Sequence, residues 1–332
     1  MALNPIQSNL PKSKCDVFMR ILALVPGDIS DQILFFPTID DLKKRYPEAQ
    51  VDIVVEPRAK DAYQVSKSVR ETIVFDYHGR NSLADWGNLL GVIRDREYEA
   101  VLTYDDRWST GLLLWLSGIP VRIGFAGGPS ELYLTTVINV DSQKKYRADR
   151  YYDLLKGLDL QGASPELAVN VPTKDLAWAD TERQRLGLTS GGYVVVCGSG
   201  KSPNSSYPPD QWQLVLKDFQ KKQPDLPLVL ADSGEGAWMK VMTDAMPTLK
   251  VTRPKTPGQS VAIFAGASLL LCCESSAMYL AIAAKTFTLV LISESDPKLV
   301  LPQSDRVVAI KSLGRRVAEI APSTILEKVW GG

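Results

Sequence analysis

Hydrophobic positions along this chain fall into short unbroken runs, each followed by a turn and a helix-length stretch. Met19 to Val25 (MRILALV) is the first such run; PGDIS follows, then a helical segment ending near Tyr46-Pro47. Continuous apolar runs of this length mark strands covered on both faces, as in parallel sheets. Val51 to Val55 begins four residues after Pro47 and is β-branched, which predicts the second parallel strand of a βαβ unit. Glu71 to Phe75, Ala100 to Thr103 and Val121 to Phe125 extend the series, so the first half reads as a doubly wound parallel sheet.

Asp159 to Asp175 contains Gly162, Pro165 and Pro172 and lacks helical periodicity, which marks it as an interdomain linker. The pattern then restarts. Strands are expected at Tyr193 to Cys197, Leu226 to Ala231, Leu249 to Thr252, Ser268 to Cys273, Thr288 to Ile292 and Val307 to Ile310. Helices are expected at Pro209 to Lys222 and Ser276 to Ala284, and an amphipathic tail helix at Arg315 to Val329 that returns toward the first half. The organisation is thus α/β: a disordered leader over 1–18, then two Rossmann-like parallel-sheet domains over 19–165 and 176–332. Two such domains facing each other put the working site in the cleft between strand C-terminal ends.

Composition narrows the chemistry. Of 332 residues, 45% are hydrophobic, enough for two cores, and 38 Lys and Arg balance 38 Asp and Glu. No global charge therefore holds the chain on nucleic acid. Cys15, Cys197, Cys272 and Cys273 form no C-x-x-C pair, and neighbours 272 and 273 point to opposite faces of a strand. A disulfide framework or zinc site does not fit that pattern, and the single histidine, His78, limits any histidine-based triad or metal cage. His78 reads as an ordinary loop or surface residue. The leader has no apolar signal core, and Leu112 to Leu116 and Val261 to Cys273 are too short to span a bilayer. A cytoplasmic protein is expected, with peripheral membrane contact left open.

Four places carry candidate chemistry. Gly27 and Asp28 sit between the first strand and first helix, where Asp28 is either a general base or a helix cap. Gly198 to Trp212 (GSGKSPNSSYPPDQW) follows the first strand of the second half. There Ser199, backbone amides and Lys201 either receive a phosphate or form a non-binding loop. Cys273 to Tyr279 (CESSAMY) places Glu274 to accept from a ribose or sugar hydroxyl and Ser275 and Ser276 at a helix start, as phosphate ligands or plain caps. Glu235, in the turn SGEGAW, offers another carboxylate near a strand end. Neither half has G-x-G-x-x-G or a Walker motif, which disfavours a dehydrogenase or P-loop enzyme.

RILALVPGDISDQILFFPTIDDLKKRYPEAQVDIVVE at the start, GIPVRIGF, YPPDQW, and ESSAMYLAIAAKTFTLVLISESDP run in one order over nearly the whole chain after the leader. In that order they resemble glycosyltransferase family 9, the heptosyltransferase-like proteins. The resemblance implies the GT-B architecture, with acceptor on the N-terminal domain, nucleotide-sugar on the C-terminal one, and neither metal nor cofactor required. It implies Asp28 as the base that deprotonates an acceptor hydroxyl, and a glycan or lipid-linked acceptor as partner. The nucleotide site is expected from Gly27, Ser199, Lys201, Glu235, Glu274, Ser275, Ser276, Met278 and Tyr279. The family's D-S-G-x-x-H string is replaced here by Glu274 to Tyr279, with Ser276 for glycine and Tyr279 for histidine. Its basic residue before W-P is replaced by Ser205 and Ser206, and a lost phosphate cation costs about 1.5–3 kcal/mol unless Lys201 compensates.

Two functions fit these residues. One is transfer of a sugar from a nucleotide-sugar to an acceptor hydroxyl; the other is a catalytically inactive relative that serves as a binding or assembly factor. The substituted positions keep hydrogen-bonding side chains, which leans toward transfer.

Overall fold

The computed structural model describes residues 20–139, 145–189, 192–232 and 237–331; the expected leader and Glu235 lie outside them. The first sheet holds β1 (Arg20–Val25), β2 (Gln50–Val55), β3 (Glu71–Val74), β4 (Ala100–Thr103), β5 (Val121–Phe125) and β6 (Thr136–Ile138), in the order β3-β2-β1-β4-β5-β6. The second holds β7 (Val194–Cys197), β8 (Leu228–Ala231), β9 (Lys250–Thr252), β10 (Leu269–Cys273), β11 (Thr288–Ile292) and β12 (Val307–Lys311), in the order β12-β11-β10-β7-β8-β9. All pairings are parallel. Counted from its own first strand, the second order repeats the first. Each sheet therefore changes winding direction beside its first strand, and the crevice for a ligand opens at the C-terminal ends of β1 and β4 and of β7 and β10.

Helices α1 (Ile29–Arg45), α2 (Leu83–Asp95), α3 (Trp108–Ser117) and α4 (Arg147–Tyr152) belong to the first half of the chain. The second half carries α5 (Thr173–Leu186), α6 (Pro209–Lys222), α7 (Ala237–Ala245), α8 (Pro257–Phe264), α9 (Ser276–Ala283), α10 (Pro297–Val300) and α11 (Pro322–Trp330). Helices on both faces explain why β7 reads VVVC, apolar without alternation and buried throughout. Cys272 and Cys273 enter different cores on the two faces of β10, as their adjacency requires. One of those cores is continuous between the two sheets, running from Ile21 and Val25 through Tyr63 and Val65 to Val195 and Ile263. A 3-10 segment, Pro57–Val65, packs on α8, and α1 packs on α9, so the floor of the cleft is apolar. Each fully buried Leu or Ile there contributes about 1.5–3 kcal/mol, which holds the two halves as one seam.

The structure departs from the sequence expectations at three points. The linker is shorter than Asp159 to Asp175, because Thr173–Leu186 is helical and Asp175 lies in its first turn. The tail helix begins at Pro322 and packs on α6 of its own half, where Trp330 Nε1 donates to Asp218 Oδ2 at 2.8 Å. Its partner is therefore not the first half. Finally, β6 adds a three-residue edge strand that no apolar run announced. Among the described residues no helix is long and apolar enough to cross a membrane.

Candidate active site

A cavity of about 410 Å³ opens where the two halves meet, lined by Asp28, Ile29, Arg58 and Asp61 on one side and by the ends of β7 and β8 and the start of α9 on the other. Cys197, Ala231, Phe264 and Leu280 give it apolar wall, while Lys201, Lys255 and Arg58 bring cations. Asp232 adds a carboxylate, already accepting from Trp238 Nε1 at 2.7 Å and Ser199 Oγ at 3.2 Å. Burial pushes the Cys197 thiol up, so that wall residue stays a neutral apolar group. Among the described residues no group of three or more His, Cys, Asp or Glu could hold a metal ion.

Asp28 proves to be both a cap and a cavity residue. Its Oδ1 accepts from Ser30 N at 2.6 Å, and its own amide donates to Asp31 Oδ2 at 3.1 Å, closing a capping box at the start of α1. A carboxylate has a second oxygen, and the residue also lines the cavity. Gly27 is required beside it: φ is +112°, and a Cβ there would lie 2.2 Å from Asp31 Oδ2. Its amide donates to Glu56 Oε1 at 3.0 Å, so Gly27 shapes the turn and is not on the cavity wall.

Glu56, 2% exposed, is the hub that sequence reasoning missed. Besides Gly27 N it accepts from Arg58 Nε at 2.8 Å, and His78 Nδ1 lies 2.7 Å from its Oε1. The one histidine thus helps brace the turn that carries Asp28. From the other side the Tyr104 hydroxyl donates to the Pro26 carbonyl. The available signal was position: Glu56 follows β2 directly, as Asp28 closely follows β1 and Asp232 directly follows β8. Asp31 was missed as well. Burial, then the neighbouring Asp28 charge, raises its carboxyl above the usual aspartate range, against Arg147 and Lys201, which lower it.

In the second half, Ser199, Lys201, Ser275 and Ser276 line the cavity. Three of the loop amides are already engaged. Gly200 N donates to Ser206 Oγ, Lys201 N to Glu274 O, and Ser202 N to Ser205 Oγ at 2.8–3.2 Å. Ser205, where the family carries a basic residue nearby, is buried and spent on this internal capping box. What remains open is α9. Its N-cap, Ser275, makes no side-chain cap bond and turns its hydroxyl to Cys273 O instead, so the helix presents first-turn amides beside Lys201.

Helix phase separates the remaining residues of ESSAMY. Ser276, Ala277 and Leu280 face the cavity, whereas Met278 and Tyr279 are fully buried and Glu274 is buried off the cavity wall. Met278, Tyr279 and Glu274, expected at the nucleotide site, therefore do not line this cavity. Among the described residues the Tyr279 hydroxyl has no hydrogen-bond partner, and burial pushes its pKa up.

The profile of glycosyltransferase family 9 (heptosyltransferase) matches residues 86–329. An Arabidopsis thaliana relative, photosynthetic NDH subunit of subcomplex B 1, chloroplastic, is 35% identical over 85 residues, 25% of this chain and 18% of that one. Lipopolysaccharide heptosyltransferase 2 of Escherichia coli K12 is 24% identical over 110 residues, 33% of this chain and 32% of that one. The chain therefore spans about a fifth and a third of the curated relatives it matches. Among solved structures, a family 9 glycosyl transferase from Veillonella parvula superposes with a TM-score of 0.81 at 18% identity, covering 93% of this chain and 95% of that one. E. coli ADP-heptose lps heptosyltransferase II does so with a TM-score of 0.77 at 18% identity, covering 94% and 97%. At these identities the superpositions establish the fold, the two-domain GT-B arrangement.

Proposed function

The chain belongs to glycosyltransferase family 9, and from that premise we propose that it transfers a sugar from a nucleoside diphosphate sugar to an acceptor hydroxyl. The observation that carries the reading is the cavity that Asp28 of the first half lines from one side and Lys201 and the uncapped start of α9 line from the other. A general base and an anion-stabilising pole belong on opposite sides of a sugar undergoing displacement. The Asp28 carboxylate takes the acceptor proton as the acceptor oxygen attacks the anomeric carbon. The diphosphate leaves with negative charge that Lys201 and the α9 amides stabilise. The apolar wall at Cys197, Ala231 and Phe264 suits the flat face of a base, and Asp232 suits ribose hydroxyls.

The E. coli neighbour is described as an ADP-heptose enzyme, so ADP and ADP-sugars are the first donors to try, with a glycan or lipid-linked glycan as acceptor. Titration calorimetry with ADP, GDP and UDP, free and as sugar conjugates, tests the reading. Micromolar to sub-millimolar binding of one of them, weakened by Lys201→Ala, supports it. No binding of any at millimolar concentration overturns it and leaves a non-catalytic binding role.

A further inference from the structure

The cation missing at Tyr279 leaves a question about which group balances a diphosphate at the start of α9, and the seam between the halves supplies an answer. Arg147, at the start of α4, is 35% exposed, and its Nη1 sits 3.4 Å from Asp31 Oδ1. That long contact is the one ion pair or hydrogen bond its guanidinium makes among the described residues. Helix α1 packs on both α4 and α9, so Asp31 stands between them. Burial disfavours the charged guanidinium of Arg147, and Tyr151, Tyr279, Asp31 and Glu274 outweigh it, raising its pKa. Asp31 also accepts from the Asp28 amide at 3.1 Å, so the pair lies directly behind a cavity residue although neither Asp31 nor Arg147 itself lines the cavity. The Arg147–Asp31 pair therefore abuts Asp28, which shares the cavity with Lys201 from the other half.

We propose that Arg147 is a donor-binding residue: it leaves its resting pair with Asp31 and joins Lys201 on the diphosphate of the nucleotide-sugar. The proposal rests on the donor reading given above. A diphosphate carries more charge than Asp31 and accepts a guanidinium on two oxygens at once, so the exchange gains both charge and geometry. Because α4 belongs to the acceptor half, filling the donor site then ties that half to the bound nucleotide. Asp31 acts through Arg147 and is a positioning residue.

Titration calorimetry of the full chain with ADP decides the matter, using wild type, Lys201→Ala, Arg147→Ala, Arg147→Lys, Asp31→Asn and the Arg147→Ala/Asp31→Asn double variant. Arg147→Ala is expected to weaken ADP by roughly tenfold or more, with only partial recovery in Arg147→Lys, whose ammonium lacks the fork. Asp31→Asn, which retains an acceptor for the Asp28 amide, frees the guanidinium and tightens ADP. In the double variant that gain disappears. Wild-type affinity in Arg147→Ala, with Lys201→Ala still weakened, overturns the proposal and leaves the donor reading intact. A gain from Asp31→Asn that survives without Arg147 also overturns it, since simple charge removal then explains the effect. Failure of the wild type to bind any of ADP, GDP or UDP overturns both readings together.

Discussion

The chain leaves its sheet for a helix at two topologically equivalent points, after β1 and after β7, and the two turns are built from different materials. After β1 the turn is short. Gly27 takes a left-handed φ, Asp28 spends one oxygen on the helix, and Asp31 closes the box from inside α1. After β7 the chain makes a long loop, Gly198 to Pro208, that caps itself with Ser202, Ser205 and Ser206 and leaves the Lys201 side chain at the cavity. The winding rule fixes where groups emerge, and local capping chemistry fixes their sign. An acid cap gives the first half its candidate base; neutral serine caps leave the second half a net cation.

The largest effect expected from breaking this comparison is on chemistry at the acid turn. Asparagine caps a helix as well as aspartate does, so Asp28→Asn should keep α1 and its stability while lowering turnover by about 100-fold or more. Turnover on the donor found by calorimetry, together with a melting curve, separates the two effects. Unchanged turnover removes Asp28 from the mechanism.

At the serine turn the sensitive point is backbone space. A Cβ on Gly200 would sit 2.0 Å from the Ser205 carbonyl oxygen, which cannot swing away as a side chain end does. Gly200→Ala should cost about 2–3 kcal/mol in urea unfolding and displace Lys201, weakening nucleotide binding with it. Loss of binding without loss of stability would mean that the loop is less tightly self-capped than its hydrogen bonds indicate.

A smaller effect is expected at the brace of the acid turn. Glu56→Gln keeps an oxygen for the Gly27 amide but removes the charge that Arg58 and His78 face. A loss of about 1 kcal/mol is expected, since Arg58 and His78 are both well exposed and solvent screens them. A much larger loss would make the carboxylate charge itself the element that holds the turn.

How far this was legible in the sequence depended on whether the deciding contact was local. Ala100–Thr103, Val121–Phe125 and Thr288–Ile292 are strands over the expected residues because an apolar run covered on both faces needs no partner to be recognised. Thr136–Ile138 is too short to carry that signal. The tail pattern from Arg315 ran past Pro322, which starts the helix because its missing amide is harmless only there. In the site, Asp28, Lys201 and Ser276 followed from their places after strands. Glu56 carried the same signal directly after β2, but the amide it braces, Gly27 N, is distant in sequence, as are the partners of His78 and Arg147. Met278 and Tyr279 belong to a recognisable motif string, yet one helical turn carries them from the cavity into the core.

The last contrast between the turns is titration, and here the expected effect is smallest. The serine box has no ionisable group, whereas burial and Asp28 raise the Asp31 carboxyl above its ordinary value of 3.8. The native state therefore binds the Asp31 proton more tightly than the unfolded chain does. Its contribution to stability is fully present below pH 3.8 and is lost as pH rises through the raised native value. Replacing it by neutral asparagine removes that loss, so unfolding curves of Asp31→Asn should fall less steeply with pH than wild type just above 3.8. The broken pair with Arg147 offsets part of the gain at neutral pH, leaving a net change on the order of 0.5 kcal/mol. Ser202→Ala, which opens the other box, should lower stability by about 1 kcal/mol at every pH. Parallel pH profiles for wild type and Asp31→Asn would show that Arg147 and Lys201 already cancel the burial of Asp31, and the two turns would then differ in charge but not in titration.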